Sequence, residues 1–384
     1  MADTVLVKNF KYGSRFLNFY CLVDENERPI FAPCLFLFQT AISGQDLDTS
    51  KAYAFDLKSF FNILSQSSGK SKEDHLDFRD VSDAQMDGYL NGYLLFQKKL
   101  STNSVQRHIT TLRTFYEFSY KYGLLEKSNS YSFEIDSSEN KTTMLEQATQ
   151  TFHQMYITED EFDEILLSNI TTSDPFLRER DEIALKLGYY AGLRTEELVI
   201  NDNLSLVKLR KQLPKVTKNI PQAFYLTIKG KNGVTRKTLV DVKVTKAIHK
   251  FIWGRLKATN STLMCQKSGK PLKDVNHGTA LFRRSIEQYL NNNALEAEDV
   301  KAWLKRSYHV LRKCYATNSV SFCYESNLDP RIFVSRWLGH ASSETTEDYI
   351  IFEALLNKRL ELLTELNLEN STFATAYKNK FNKK

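Results

Sequence analysis

The chain has 384 residues, of which 42% are hydrophobic, and it carries a formal net charge of +6 at pH 7. This length allows two domains with buried cores, and the modest positive charge allows a nucleic-acid partner without requiring one. Five cysteines without metal-ligand spacing, and apolar runs shorter than the roughly 20 residues of a membrane helix, argue against a disulfide framework, a zinc site and a membrane span, so we expect a cytoplasmic protein.

The first 40 residues precede all of the motifs described below. They contain two strand-like apolar runs, Phe16 to Val23 and Ile30 to Phe38. No residue pattern in them indicates a chemistry, so residues 1–40 are interpreted as an N-terminal extension of unknown role.

A small helical domain is predicted over residues 41–135. Apolar side chains recur at helical spacing from Tyr53 to Leu64 and again from Val105 to Tyr122, which indicates two helices that each bury one face. Basic residues lie off the second stripe or before it, and they form either a surface for the DNA backbone or an ordinary solvated face. The candidate DNA contacts are Lys98, Lys99, Arg107 and Arg113, and His108 is also predicted to lie off the buried stripe.

A polar segment separates this helical domain from the rest of the chain. Residues 136–155 have little apolar periodicity and a composition typical of a linker. Thr158 followed by Glu161 is a capping-box pattern, which indicates the start of a helix. A second, larger domain is therefore predicted over residues 156–384.

The second domain is predicted to be mostly helical with one small antiparallel sheet. Phe224 to Ile228 and Thr238 to Val242 alternate in the manner of strands, around a turn that contains Asn232-Gly233. Asp329-Pro330 predicts another helix start. From about residue 353 onward we expect an amphipathic C-terminal helix and a basic tail.

Five residues of this domain form a candidate active site. Arg194 comes first, His309 and Arg312 follow three apart so that they share one helix face, and Tyr349 stands nine positions after His340. Attack on a phosphodiester builds negative charge on its oxygens, and the planar guanidinium can donate two parallel hydrogen bonds to them. A tyrosine phenol with a pKa of about 10 needs a base or positive surroundings before it can attack. The set predicts cleavage of a DNA strand.

This constellation resembles the active site of the tyrosine recombinases, the phage integrase family. The stretches His309 to Thr317 and Leu338 to Tyr349 carry most of the resemblance. The resemblance implies a mainly α fold, in which residues 41–135 form a helical, SAM-like core-binding domain and residues 156–384 form a mostly helical catalytic domain with a small antiparallel β-sheet.

The resemblance also implies roles for individual residues. Tyr349 is expected to be the nucleophile that forms a 3′-phosphotyrosyl bond, with Arg194 and Arg312 as the phosphate clamp. His309 is expected to assist proton transfer, and His340 to hydrogen-bond the scissile phosphate. Because the phosphodiester energy is stored in the covalent link, we expect no metal, ATP or other cofactor.

In members of this family a hairpin lysine protonates the leaving 5′ oxygen. Gly230-Lys231 is similar to the family's Gly-Lys turn, so Lys231 is assigned this role, although Asn232 stands where the family has a second glycine. Lys229 is the alternative. Arg236 looks like the family's later arginine and is predicted to contact DNA.

The implied partners are double-stranded DNA with a specific recombination site and, when two sites are paired, three further copies of the chain in a homotetramer. Two other functions fit the same residues: a type IB topoisomerase-like enzyme that relaxes DNA, and a regulator that binds DNA without cleaving it. A histidine-based metallohydrolase does not fit, because His309 and His340 lack the spacing of paired metal ligands.

Overall fold

Most of the described chain is helical, with two short antiparallel hairpins. The computed structural model describes residues 1–66, 77–128, 131–133, 135, 155–215, 224–230, 235–340 and 344–357. The chain divides into two compact units, residues 1–141 and 142–384. The predicted class, mainly α with a small antiparallel sheet in the second domain, is confirmed. Among the described residues, no helix is long and apolar enough to cross a membrane.

The first unit starts with a β-hairpin and continues with helices. The hairpin pairs Asp3 with Val23 at its open end and Tyr12 with Arg15 at its tip. A 3-10 turn at Phe78–Asp80 and a π-helical stretch at Gly88–Gln97 flank the third helix. The regular elements are β1 (Asp3–Tyr12), β2 (Arg15–Val23), α1 (Phe31–Ile42), α2 (Leu47–Gln66), α3 (Asp83–Asp87) and α4 (Thr102–Lys121).

One of the two strand predictions in the first 40 residues is wrong. The run from Phe16 to Val23 lies in β2, as predicted, but most of the run from Ile30 to Phe38 forms α1. An uninterrupted apolar run does not distinguish a strand from a buried helix. Pro33 lies in the first turn of α1, where a missing N–H breaks no helical hydrogen bond, and Phe36 and Leu37 are buried one turn later.

The first 40 residues also belong to the core of the first unit. Leu22 of β2 and Phe36 of α1 lie in the same buried cluster as Leu57 of α2 and Ile109 of α4. Phe36 makes edge contacts with the rings of Phe115 and Phe118 on α4. The N-terminal segment is therefore an integral part of this helical unit and not a separate appendage.

The second unit contains the remaining elements. A π-helical turn, Phe162–Leu167, continues the first short helix. Its helices and strands are α5 (Glu159–Glu161), α6 (Pro175–Ala191), α7 (Thr195–Val199), α8 (Leu206–Gln212), β3 (Phe224–Lys229), β4 (Thr235–Val240), α9 (Val242–Trp253), α10 (His277–Asn292), α11 (Ala297–Lys305), α12 (His309–Glu325), α13 (Pro330–Leu338) and α14 (Glu344–Leu356).

Three local predictions in this unit are confirmed. The Thr158 hydroxyl accepts a hydrogen bond from the Glu161 amide, and the Glu161 carboxylate accepts one from the Thr158 amide, which completes the capping box. Asp329 caps α13 with its side chain, and Pro330 occupies the first helical position. Strands β3 and β4 pair antiparallel, with β4 starting three residues earlier than predicted.

Helix α6 crosses the core of the second unit and positions the start of α12. The Tyr308 hydroxyl donates to the Ala184 carbonyl at 2.8 Å. A side chain at Gly188 would come within 2.8 Å of the Tyr308 ring, so the absence of a side chain lets the ring lie directly on α6. The first residues of α12, His309 and Arg312, are thereby held beside the C-terminal end of α6.

Candidate active site

Arg312 is a buried arginine held between the ends of two helices. It is only 4% exposed. Nη1 donates to the Gly192 carbonyl at 2.6 Å, and Nη2 donates to the Leu338 carbonyl. These carbonyls lie at the C-terminal ends of α6 and α13, where helix carbonyls lack helical partners and carry partial negative charge. Burial, together with the charges of Arg236 and Arg194, lowers the Arg312 pKa to about 9, so the group is still a cation at neutral pH.

Glycine ends both of these helices because the backbone turns left-handed there. Gly192 has φ +65° and Gly339 has φ +68°. A Cβ on Gly192 would lie 2.4 Å from Cδ1 of Tyr315, and one on Gly339 would lie 3.0 Å from Cδ of Arg236. Gly192 therefore allows the end of α6 to approach the Tyr315 ring closely, and Gly339 allows the end of α13 to approach the Arg236 side chain.

Glu197 is the buried carboxylate of the site. It is 0% exposed, and it accepts hydrogen bonds from both Nη atoms of Arg236 and, at 2.7 Å, from the backbone amide of Arg194. Burial by itself would raise the pKa of this carboxyl. Hydrogen bonds and charge from Arg236, the Arg194 amide and the charge of Arg312 outweigh burial and hold the pKa below its usual value.

Arg236 is a buried residue that contacts Glu197. Its side chain is 5% exposed. Besides Glu197, its donors reach the Trp337 carbonyl at 3.0 Å from Nε and the Gly192 carbonyl at 3.4 Å from Nη2. The prediction that Arg236 contacts DNA is not supported by this placement, because its guanidinium is committed to protein acceptors.

Arg194 is the most accessible of the three arginines. It precedes α7, its side chain is 35% exposed, and Nη1 lies 3.2 Å from Oε1 of Glu197. Glu197 thus orients Arg194 from one side and leaves part of the guanidinium open to solvent. A phosphate oxygen can reach that open side.

The two histidines are neutral at pH 7. His309 is the first residue of α12, one turn before Arg312 as predicted. Although the residue is exposed, the protein atoms that displace water from its ring, with the charges of Arg312 and Lys313, lower its pKa to about 4. Burial, followed by the charges of Arg312 and Arg194, also lowers the pKa of His340 to about 4. Both rings can therefore accept a proton.

Tyr349 lies on α14 against His340. The two rings are stacked at 17°, with their centroids 6.0 Å apart. Tyr349 is 9% exposed, and burial raises its pKa above 10, while the nearby charges of Arg312 and Arg194 act in the opposite direction. The phenol is therefore protonated at neutral pH, beside an imidazole and within electrostatic reach of two guanidinium groups.

Two family profiles match the sequence of this chain. The sequence profile of the phage integrase family matches residues 155–353, and that of the phage integrase N-terminal SAM-like domain matches residues 41–123. The chain belongs to the phage integrase family. The predicted family and the predicted enzyme class, a tyrosine recombinase, are thereby confirmed, as is a SAM-like helical region in the first unit.

Relatives of this family align along most of the chain. Tyrosine recombinase XerC of Caldanaerobacter subterraneus subsp. tengcongensis is 28% identical over 333 residues, which cover 84% of this chain and 82% of the relative. Tyrosine recombinase XerD of Oceanobacillus iheyensis is 24% identical over 306 residues, covering 80% and 88%. A crystal structure of the XerH site-specific recombinase, in a post-cleavage complex with palindromic difH substrate, shares the fold with a TM-score of 0.55 at 20% identity, covering 89% of this chain and 88% of that one.

The predicted general acid, Lys231, lies outside the described residues of this phage integrase family member. The end of its hairpin is described. Asn203 accepts a hydrogen bond from the Lys229 amide at 2.7 Å and donates to the carbonyls of Lys229 and Glu197. The exposed side chain of Lys229 thus belongs to a strand end that one asparagine joins to the buried carboxylate residue of the site.

The four predicted DNA contacts of the first unit are all exposed. Arg107 is partly committed to the protein, because it donates to the buried Asp56 at 2.7 Å from Nη2 and at 3.1 Å from Nε. Lys98 and Arg113 lie 5.4 Å and 5.3 Å from the ring centroids of Tyr93 and Phe133. Together with Lys99, these residues remain candidate DNA contacts of the SAM-like region.

His108 does not lie off the buried stripe. It is 4% exposed, its Nε2 lies 3.2 Å from Asp56, and its Nδ1 lies 3.2 Å from the Tyr89 hydroxyl. Burial lowers the pKa of His108, so it is a neutral core residue that links Asp56 to Tyr89. No local pattern indicates these two partners, which are far away along the chain.

Glu197 is the site residue that the sequence analysis missed. The spacing of Arg194 and Glu197 is informative. A glutamate at the third position of a helix can accept a hydrogen bond from the backbone amide of the residue that precedes the helix. Its contact with Arg236 had no local signal, because the two residues are 39 positions apart.

Because Glu197 compensates the buried arginines, Glu197→Gln is expected to lower the free energy of unfolding by about 3 kcal/mol at pH 7. A carboxyl with a lowered folded-state pKa stabilises the fold above its unfolded value of 4.5, and this contribution is lost as pH falls through the folded value. The difference between the two proteins should therefore shrink below pH 4.5. Urea unfolding followed by tryptophan fluorescence checks this, since all three tryptophans lie in the second unit.

Glu196→Gln is the matched control for this measurement. Glu196 is adjacent in sequence but only partly buried. Its substitution should change the free energy of unfolding by less than about 0.5 kcal/mol. Equal effects of the two substitutions at pH 7 would contradict the assigned role of Glu197.

Proposed function

We propose that the chain is a site-specific DNA recombinase that cuts and rejoins DNA strands through a 3′-phosphotyrosyl bond to Tyr349. The observation that carries this proposal is the placement of the Tyr349 ring beside His340, near two arginines that hold their charge. A strand break of this kind needs a nucleophile, a proton acceptor and fixed cations around one phosphorus. The stacking of Tyr349 on His340, together with the charges of Arg194 and Arg312 near Tyr349, supports the proposal.

The arginines would stabilise the transition state. Arg194 has the most accessible guanidinium and would donate to a nonbridging oxygen of the scissile phosphate. Arg312 uses two of its five N–H groups on helix-end carbonyls, and the others would be available to the same phosphate. The positive site would stabilise the charge that develops on the phosphorane oxygens.

Proton transfers would complete the reaction. The Tyr349 proton would pass to a neutral imidazole, His309 or His340, as the phenolic oxygen attacks phosphorus. The bond from phosphorus to the 5′ oxygen would break, and that oxygen would take a proton from the general acid. Attack by a 5′-hydroxyl of another strand reverses these steps, so we expect the reaction to proceed in EDTA and without ATP.

Double-stranded DNA with a specific site is the proposed substrate, and four copies of the chain would act on two paired sites. Covalent trapping on a suicide DNA, whose cleaved fragment diffuses away, tests the cleavage step. An enzyme that relaxes a plasmid lacking any site but transfers no strand between two sites would be a topoisomerase. A protein that binds without trapping would be a regulator, and either result would overturn the proposal.

Lys231 is proposed as the general acid, with Lys229 as the alternative. We expect Lys231→Ala to reduce cleavage by about 100-fold or more, a typical contribution of general acid catalysis, and Lys229→Ala to have a much smaller effect. A DNA with a 5′-phosphorothiolate at the scissile position needs no acid, because sulfur is the better leaving group. This DNA should restore cleavage by the Lys231 variant.

The unmodified DNA and the Lys229→Ala variant are the controls for this experiment. Rescue of Lys229→Ala and not of Lys231→Ala would reassign the acid to Lys229. Failure of the phosphorothiolate to rescue either variant would show that neither lysine protonates the leaving oxygen.

A further inference from the structure

Two hydroxyl side chains connect His340 to the helix that carries Tyr349. The Thr346 hydroxyl lies 3.0 Å from Nδ1 of His340 and 2.6 Å from the hydroxyl of Ser335. Thr346 is 0% exposed and stands in the first turn of α14, three residues before Tyr349. Ser335 is on α13, and its backbone carbonyl also accepts the His340 amide at 3.0 Å.

The hydroxyl contact matters because a neutral imidazole carries one proton on two nitrogens. The partner of one nitrogen decides which nitrogen is protonated. If the hydroxyl donates to Nδ1, the ring proton stays on Nε2, and Nε2 can donate a hydrogen bond. If Nδ1 donates to the hydroxyl, Nε2 has no proton to donate.

We propose that Thr346 is a positioning residue that donates its hydroxyl hydrogen to Nδ1 of His340 and thereby keeps the ring proton on Nε2, where it can be donated to a phosphate oxygen. Ser335 completes the chain by donating to Thr346. This inference rests on the proposed function, because only a bound phosphate makes use of an Nε2 donor. The proton on Nε2 also makes His340 a phosphate ligand and leaves acceptance of the Tyr349 proton to His309.

Two buried threonines on other helices of the same unit bond within their own helix. Thr245 on α9 and Thr317 on α12 are 0% and 1% exposed, and each donates its hydroxyl hydrogen to the carbonyl four residues earlier in its own helix. That bond is the ordinary one for a threonine within a helix. The Thr346 hydroxyl contacts two side chains outside α14, those of His340 and Ser335, which indicates a role beyond the helix itself.

The same contacts fix the plane of the His340 ring. The Thr346 hydroxyl contacts Nδ1 of the His340 ring, and the Ser335 carbonyl accepts a hydrogen bond from the His340 backbone amide. The ring lies nearly parallel to the Tyr349 ring. Thr346 and Tyr349 lie on one face of α14, since they are three residues apart. Without the hydroxyl, we therefore expect His340 to exchange between its two tautomers and its ring to be less firmly oriented.

The nitrogen shifts of the His340 ring test the proposal in the protein without DNA. We expect the full-length chain with ¹⁵N-labelled histidine to show an unprotonated Nδ1 and a protonated Nε2 at pH 7, with His340→Gln identifying the signals. Thr346→Ser should retain this pattern. Thr346→Val, which keeps the shape and removes the hydroxyl, should give averaged shifts of two exchanging tautomers.

Cleavage of suicide DNA provides the second readout. Thr346→Val should cleave about tenfold more slowly, the equivalent of one hydrogen bond, with unchanged DNA affinity. Thr245→Val is the matched control and should cleave at the normal rate. A protonated Nδ1 in the unsubstituted chain, or unchanged shifts and rate in Thr346→Val, would overturn the proposal.

Two further outcomes also have a clear meaning. If Thr346→Val fails to fold, the unsubstituted chain and Thr346→Ser still decide the tautomer and hence the proposal. If the unsubstituted chain forms no covalent adduct, the proposed recombinase function fails, while the nitrogen shifts still show whether Thr346 donates to His340.

Discussion

Tyr349→Phe is expected to abolish covalent attachment to DNA, with no detectable adduct, while DNA affinity stays within about twofold. The substitution removes one hydroxyl oxygen, which is the only atom of the side chain that can attack phosphorus. The ring would still pack against His340, so the site should keep its shape. Suicide DNA labelled at the 5′ end of the cleaved strand, followed by denaturing electrophoresis and protease digestion, measures the adduct.

Tyr289→Phe provides the matched control. Tyr289 lies on α10, with its ring centroid 6.4 Å from that of Trp303. Its substitution should leave the adduct unchanged. A protease-sensitive adduct formed by Tyr349→Phe would show that another residue is the nucleophile, and the proposed mechanism would have to be abandoned.

Arg312→Lys is expected to reduce cleavage by about 100- to 1,000-fold even though the charge is kept, in line with the loss of an oriented donor at a developing oxyanion. The guanidinium spans the carbonyls of Gly192 and Leu338 and still has donors for a phosphate. The three N–H donors of an ammonium radiate from one nitrogen, so lysine lacks the planar fork that spans both carbonyls and presents further donors to a phosphate. Single-turnover cleavage at saturating protein concentration measures this loss.

Arg331→Lys is the matched control for the guanidinium argument. Arg331 is exposed on α13, and its nearest acidic partner, Glu347, is 3.9 Å away. This variant should cleave at a nearly normal rate. If Arg312→Lys cleaved equally well, charge alone would suffice at this position and the fork geometry would have no role.

Local signals in the sequence were sufficient for several helix starts. The Thr158 and Glu161 pair and the Asp329-Pro330 dipeptide act through contacts within four residues, and both appear in the structure as predicted. The order of the arginines, histidines and tyrosine identified the family, because spacing along the chain is preserved in the motif. The two helix starts depend on near neighbours only.

Burial was not predictable in the same way. Arg236 was predicted to contact DNA, yet it is buried and its partner Trp337 is 101 positions away. Arg312 reaches across 120 positions to Gly192. Ile30 to Phe38 was taken for a strand, and the choice of helix depends on packing against α4. Such long-range contacts decide which side of a residue meets solvent, and no periodicity in a single sequence records them.

The anchoring of Arg312 by main-chain carbonyls has a consequence for how the enzyme meets its substrate. A carboxylate bonded directly to the guanidinium would compete with an incoming anion, whereas a carbonyl dipole restrains the group and carries no net charge. The electrostatic field that a phosphorane requires is therefore preorganised before any nucleic acid arrives. Little reorganisation is left for the moment of bond breaking.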